Sequence, residues 1–215
     1  MEVTAQAASL VYRGAEAEVV RTEWHGRDAI LKRRTAKPYR HPDIDRRLRV
    51  ARTKEEALLF RAAREAGVAV PGLFDVDMEE CALTMEFVPG PMLKAALNEG
   101  SDERRRALAR AFGRSVAALH VAGMVHGDLT TSNVLVDGDR LVFIDFGLGG
   151  KTTEDEDRGV DLHLLMEAME STHAAHHDLY GVVVEGYREV APFAPAVEKV
   201  VKEIVRRGRY RSEKG

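Results

Sequence analysis

Cysteine is almost absent: Cys81 is the only thiol in 215 residues. An internal disulfide and a cysteine-rich zinc site are therefore both excluded, and the apolar neighbours of Cys81 mark it as a buried spectator. Long apolar runs are missing too. None approaches the roughly 18 consecutive residues of a membrane helix, and the opening MEVTAQAASLVYRG lacks the basic-then-apolar plan of a signal peptide. The expectation is a cytoplasmic protein with no membrane partner. Repeats and low-complexity linkers are also lacking. What remains, 45% hydrophobic and 31% charged residues, is globular, with room for one sizeable core or two small lobes around a cleft.

The net charge of −3 gives no overall attraction to nucleic acid, but the charge is unevenly spread. Basic residues crowd 32–54 and 206–214, whereas 154–157 read EDED. Residues 18–34 alternate and break at His25-Gly26, which predicts two strands and a hairpin turn. A long charged helix pattern follows Pro42 and runs to Glu65, stopped by Gly67. Residues 68–70 and 82–87 read as further strands, completing a small sheet-plus-helix lobe over residues 1–88. Beyond the bridge PGPMLKAAL, Leu108, Phe112, Val116 and Leu119 share one helical face, with Asp102 and Glu103 well placed in its first turn. Helix patterns at 162–170, 179–190 and 195–206 extend a second, mainly helical lobe over 89–205, leaving a basic tail, 206–215.

The densest chemistry lies in residues 124–150, MVHGDLTTSNVLVDGDRLVFIDFGLGG. Two apolar strands surround DGDR, so a hairpin should close near Asp139. Asn133 and Asp145 flank those strands almost symmetrically and must emerge together at the open end, while Asp128 arrives from the preceding loop. Converging carboxylates and an amide oxygen suit magnesium, which accepts a few protein oxygens beside phosphate and water. Phosphoryl transfer needs this division: metal ligands for the phosphate charge, and a free carboxylate to orient or deprotonate the nucleophile.

The order H-x-D, an asparagine five residues after the aspartate, then D-F-G is that of the protein-kinase signature set. His126-Gly127-Asp128, Asn133 and Asp145-Phe146-Gly147 fill every slot. Lys32 ends the strand Ala29-Ile30-Leu31, where a kinase places its phosphate-gripping lysine. Its partner should be a glutamate on the next helix, Glu56 by preference, with Glu55 adjacent and not separable by spacing. The stretch Met85-Glu86-Phe87-Val88 reads both as a buried strand and as an inter-lobe hinge whose backbone holds adenine.

Across nearly its whole length the chain resembles the small atypical kinase-ATPase subunit of the KEOPS (EKC) complex, a RIO-like relative of protein kinases. The resemblance rests on RGAEAEV (13–19), KPYRHPDID (37–45), RTKEEA (52–57), HGDLTTSNVLV (126–136), IDFGLG (144–149), EDRGVDL (156–162) and RRGRYR (206–211). It implies an α+β, bilobal kinase-like fold with a small antiparallel-sheet N-lobe and a truncated, mainly helical C-lobe. It also implies ATP and magnesium binding, weak protein-serine/threonine kinase or ATPase activity, and support of threonylcarbamoyl-adenosine modification of tRNA beside a sugar-kinase-like catalytic subunit and other KEOPS subunits. On these motifs Asp128 is the implied catalytic base, and Asn133 and Asp145 the magnesium ligands. Lys32 and Glu56 position phosphate, Gly14 and Ala15 lie in the phosphate loop, Glu86 and Val88 form the hinge, and Asp161 braces the HGD loop.

Two departures from ordinary kinases stand out. The phosphate loop YRGAEAEV has one glycine, Gly14, and its Glu16 repels phosphate, which argues for slow turnover. No A-P-E follows, and the stretch from Asp145 to Asp161 is too short for a full activation segment. A small-molecule phosphotransferase of the aminoglycoside-kinase type shares HGDLxxxN and is the alternative; EDRGVDL, the basic terminus and the lack of a substrate-binding helical insertion stand against it. A pseudokinase scaffold is disfavoured by the complete Lys32, Asp128, Asn133, Asp145 set. His173 and His177 have metal-pair spacing but no third ligand or HExxH frame, so they read as an exposed helix end. HGRD (25–28) serves as a hairpin turn. The basic run from Arg33 to Arg52 and the tail read either as solvated surface or as a partner or RNA surface.

Overall fold

The alternation of residues 17–34 folds as a hairpin. In the computed structural model, which describes residues 9–14 and 16–212, β1 (Ser9–Arg13), β2 (Ala17–Trp24) and β3 (Arg27–Arg34) form consecutive antiparallel strands. The β2–β3 turn places His25 at φ 48° and Gly26 at φ 78°, the positive values that a two-residue turn needs to match strand twist. Helix α1 (Pro42–Glu65) crosses next, and β4 (Leu73–Asp77) and β5 (Ala82–Glu86) complete a five-stranded sheet in the order β1-β2-β3-β5-β4. Because β3 pairs with β5, Lys32 lies opposite Leu83 in the middle of the sheet.

Residues 68–70 are not a strand, contrary to the sequence expectation. Their backbone is used elsewhere: Val68 N–H caps α1 at Ala63, Ala69 C=O accepts from Phe143 N–H, and the Arg64 guanidinium bonds the carbonyls of Val70 and Pro71. Val68 and Val70 are nevertheless buried. An apolar run so short signals burial without fixing strand geometry, and the missing strand is β4, just beyond Pro71-Gly72.

The second half is mainly helical. It comprises α2 (Leu93–Glu99), α3 (Asp102–Val121), α4 (Asp155–Thr172), α5 (Leu179–Arg188) and α6 (Ala194–Ser212). Two-stranded ribbons join β6 (Met124–Val125) to β9 (Gly150–Lys151) and β7 (Val134–Asp137) to β8 (Arg140–Phe143). Ser101 caps α3 by accepting from Arg104 N–H, and Leu108, Phe112, Val116 and Leu119 all face the core as the pattern requires. The last helix continues to Ser212, past the point where the sequence suggested a tail. Residues 201–212 hold Lys202, Glu203 and the arginines Arg206, Arg207, Arg209 and Arg211, all good helix formers, and no proline.

Helices α3 and α5 touch through glycine. A methyl group at Gly113 would lie 1.9 Å from Val183 O, and one at Gly186 would lie 2.1 Å from Arg110 O, whereas Gly181 on α5 has open space. Gly113→Ala is therefore expected to destabilise the fold by roughly 1–3 kcal/mol through forced separation of the helices. Gly181→Ala should be neutral or stabilising by up to about 1 kcal/mol. Urea denaturation of the two variants beside the parent checks both.

Candidate active site

The core of the site is a buried charge cluster between β3 and α1. Thr53, Glu56, Phe60 and Ala63 recur at helical spacing on the inward face of α1, and Glu56 is 1% exposed whereas Glu55 is exposed. Burial thus selects Glu56 over its neighbour. Its two oxygens are divided: Lys32 Nζ donates to Oε1 at 2.6 Å and Arg34 Nη2 to Oε2 at 2.6 Å. Lys32 Nζ also lies 2.8 Å from Asp145 Oδ1, so one ammonium ties the N-lobe helix to the DFG segment.

Arg34 was not anticipated from sequence. It sits two residues beyond Lys32 on the same face of β3, and period-two spacing was the signal that could have found it. Its guanidinium is almost fully buried, approaches Glu16 at 3.9 Å and crowds Gly147. Glu16 itself pairs with Arg52, and the Arg52 guanidinium beside it holds its carboxyl below the usual range against a smaller cost of burial. The Glu16 carboxylate, in the expected phosphate loop, is thus engaged by α1. Gly14 N–H closes this loop onto Ala17 C=O at 2.9 Å; Ala15, its other expected contributor, lies outside the described residues.

The opposite wall is the loop between β6 and β7. The backbone N–H groups of His126 and Gly127 donate to the Asp161 carboxylate at 2.7 and 2.9 Å, and His120 Nε2 lies 3.2 Å from the same group. Burial opposes ionisation of Asp161, but the His120 bond and the backbone donors outweigh it and hold its carboxyl below the ordinary value. Gly127 is required here: φ is +77°, and a Cβ would meet Leu148 O at 2.0 Å. The His126 ring is buried against Phe143 and Phe146, which also meets Phe60 edge-on at 5.3 Å. Burial pushes the His126 pKa down, so it packs as a neutral ring.

Asp128 is exposed at the tip of this loop. Asn133 Nδ2 donates to its backbone carbonyl at 2.8 Å and to its Oδ2 at 3.0 Å. The hairpin closes at Gly138-Asp139 as expected, and Ile144 N–H bonds Asn133 C=O at 3.0 Å. Asn133 and Asp145 therefore leave its open end side by side. Gly147 N–H donates to Asp145 Oδ1 at 2.8 Å. Burial alone would raise the Asp145 pKa, but Lys32 and that N–H hold it below the ordinary carboxylate range. With its amide nitrogen committed to Asp128, Asn133 keeps a carbonyl oxygen to offer a cation beside the ionised Asp145. Among the described residues no group of three His, Cys, Asp or Glu side chains forms a metal cage. The donor set thus fits a hard cation that takes its other ligands from phosphate and water.

At the expected hinge, Glu86 closes β5. Its backbone N–H donates to Gly72 C=O, and its carboxylate accepts from Gly72 N–H at 2.9 Å. Phe87 N–H bonds Asp28 C=O, and Val88 is buried. Of the HGRD segment, His25 and Gly26 make the β2–β3 turn and Arg27 and Asp28 open β3. His173 and His177 do not form a pair: His173 is buried, with Nε2 2.9 Å from Thr131 Oγ1 and Nδ1 2.6 Å from Asn98 Oδ1, whereas His177 is exposed. The expectation of an exposed helix end at His173 is therefore corrected. The chain breaks helical geometry there and turns the ring inward.

A profile of the RIO domain matches residues 19–158, which include Lys32, Glu56, Asp128, Asn133 and Asp145. KEOPS complex subunit Bud32 of Pyrococcus abyssi is 41% identical over 211 residues, covering 94% of this chain and 96% of that protein. The chain belongs to the Bud32 family of RIO-domain proteins. Another Bud32 relative, EKC/KEOPS complex subunit bud32 of Emericella nidulans, is 35% identical over 252 residues, covering 94% of this chain and 88% of its own. A probable bifunctional tRNA threonylcarbamoyladenosine biosynthesis protein of Methanothermobacter thermautotrophicus is 42% identical over 202 residues, and the chain spans 36% of that relative's length. Among solved structures, ADP-bound aminoglycoside phosphotransferase APH(2'')-Ib is similar with a TM-score of 0.66 over 93% of this chain and 82% of that one. At 13% identity that likeness is one of fold, and it agrees with the kinase-like α+β architecture expected of a Bud32 chain.

Proposed function

We propose that this chain is an ATP- and magnesium-dependent phosphotransferase, acting as a serine/threonine kinase or ATPase, that supports threonylcarbamoyl-adenosine modification of tRNA as a cytoplasmic KEOPS subunit. The observation that carries the reading is the linked set Glu56–Lys32–Asp145 facing Asn133–Asp128, in a chain aligned along nearly the full length of a relative named for that complex. Lys32, oriented by Glu56, holds the α- and β-phosphates. Asn133 and Asp145 hold magnesium, which when bound neutralises phosphate charge. Asp128 accepts the proton of the attacking hydroxyl or water. Gly14 and Ala15 border the phosphates, and the backbone of Glu86 and Val88 borders the base. Glu16, drawn onto Arg52, is kept from repelling the phosphates, which eases one of the two departures from ordinary kinases.

The partner is a sugar-kinase-like catalytic subunit, with tRNA reached through the assembly. The bifunctional relatives, in which this chain's equivalent is joined to a longer remainder, support a direct association of that kind. Incubating the pure protein with γ-labelled ATP, alone, with the catalytic subunit and tRNA, and with an aminoglycoside, tests the reading. Label released as phosphate or placed on protein, and stimulated by the partner, is the expected result. Label on the aminoglycoside alone would overturn it in favour of small-molecule phosphotransfer.

A further inference from the structure

His173 lies at the C-terminus of α4, outside the motifs that carry the family resemblance, yet it closes a hydrogen-bonded chain into the loop assigned as catalytic. Its ring is 1% exposed. Nδ1 stands 2.6 Å from Asn98 Oδ1 on α2, and Nε2 stands 2.9 Å from Thr131 Oγ1. An amide oxygen only accepts, so Nδ1 carries the proton, and Nε2 is left to accept from the Thr131 hydroxyl. Thr131 is itself 3% exposed and opens the one-turn 3-10 helix Thr131–Asn133. That turn delivers Asn133, whose amide in turn bonds Asp128. Three elements, α2, the end of α4 and the catalytic loop, are thus pinned at one ring.

We propose that His173 is a positioning residue for phosphoryl transfer: through Thr131 it fixes the 3-10 turn that sets Asn133 and Asp128 relative to each other. This rests on the assignment of the loop as catalytic. The neutral ring suits the role. Burial lowers its pKa, and Lys94 on α2 and His176 in the following turn lower it further. Losing the link frees a turn in which the backbone bond from Asn133 N–H to Thr130 C=O is 3.2 Å long. The reacting groups then sample wrong geometries while Lys32, Glu56 and Asp145, on other elements, keep their grip on nucleotide.

The test pairs Thr131→Val, which keeps the shape and removes the hydroxyl, with Thr131→Ser, which restores it; His173→Phe preserves ring volume without the bonds. Two readouts are taken: kcat and KM for ATP, and backbone amide exchange at Asn133, which needs no turnover and so stays informative if the catalytic assignment itself fails. Expected are a kcat lower by about 10–100-fold, the scale of loss from misplaced reacting groups, with KM for ATP little changed, and faster Asn133 exchange in Thr131→Val and His173→Phe. Thr131→Ser should recover both quantities. Unchanged Asn133 exchange in Thr131→Val would overturn the proposal, as would a rise in KM matching the loss in kcat. Should His173→Phe fail to fold, the two Thr131 variants decide the matter.

Discussion

Asp128→Ala is expected to lower ATP turnover by about 10²–10⁴-fold, the usual contribution of a general base, while leaving ATP affinity close to that of the parent. The split follows from where the residue sits. Asp128 is exposed at the loop tip and bonded to Asn133, whereas Lys32, Glu56 and Asp145 are linked to one another without it. Asn133 also keeps its bond to the Asp128 backbone carbonyl at 2.8 Å, which any side chain at 128 preserves. Rapid-quench measurement of phosphate release alongside nucleotide titration separates the two effects. Unchanged release would place the base on another residue, and loss of binding would make Asp128 a nucleotide ligand instead.

Glu56→Ala should have the largest effect on stability. It leaves the Lys32 ammonium and the Arg34 guanidinium, 7% and 6% exposed, facing each other without the carboxylate that separates them. Breaking a buried ion pair from one side costs roughly 3–5 kcal/mol. In a protein of this size each kcal/mol lowers the melting temperature by about 2–4 °C. The drop should be read in a thermal unfolding scan next to Glu55→Ala. Glu55 is exposed on the same helix, and its substitution should shift the midpoint little. Equal shifts for the two variants would mean that the cluster contributes no net stability.

The contrast between these two glutamates marks where sequence reading stops. Lys32, Asp128, Asn133 and Asp145 could be placed from sequence because local chain geometry fixes each position: the strand β3, which runs two residues past Lys32, a short loop and the two flanks of one hairpin. Choosing Glu56 over Glu55 needed the orientation of α1 on the sheet, a tertiary fact. His173 was misread for the same reason, since Thr131 and Asn98 lie 42 and 75 residues away from it. Spacing alone suggested a metal pair or a solvated end. In the fold, β4 was missed because LFDVD follows Pro71-Gly72, while the better-looking valines at 68 and 70 are buried without strand pairing. Helix α6 outran its expected end because a basic, solvated composition excludes a core but does not exclude a helix. The Asp161 brace was named by resemblance, and its geometry explains the need for glycine at 127, where the chain must turn with positive φ directly under Leu148.

Magnesium titration calorimetry with ATP, comparing the parent with Asp145→Ala, tests the central claim most directly. Asp145 is held ionised beside Lys32 and emerges next to Asn133, so ATP affinity of the parent should rise with magnesium. The variant should bind more weakly and lose that dependence. Equal affinities across the whole magnesium range would contradict the assignment of Asn133 and Asp145 as the metal-bearing end of the hairpin, and with it the phosphotransfer reading of the site.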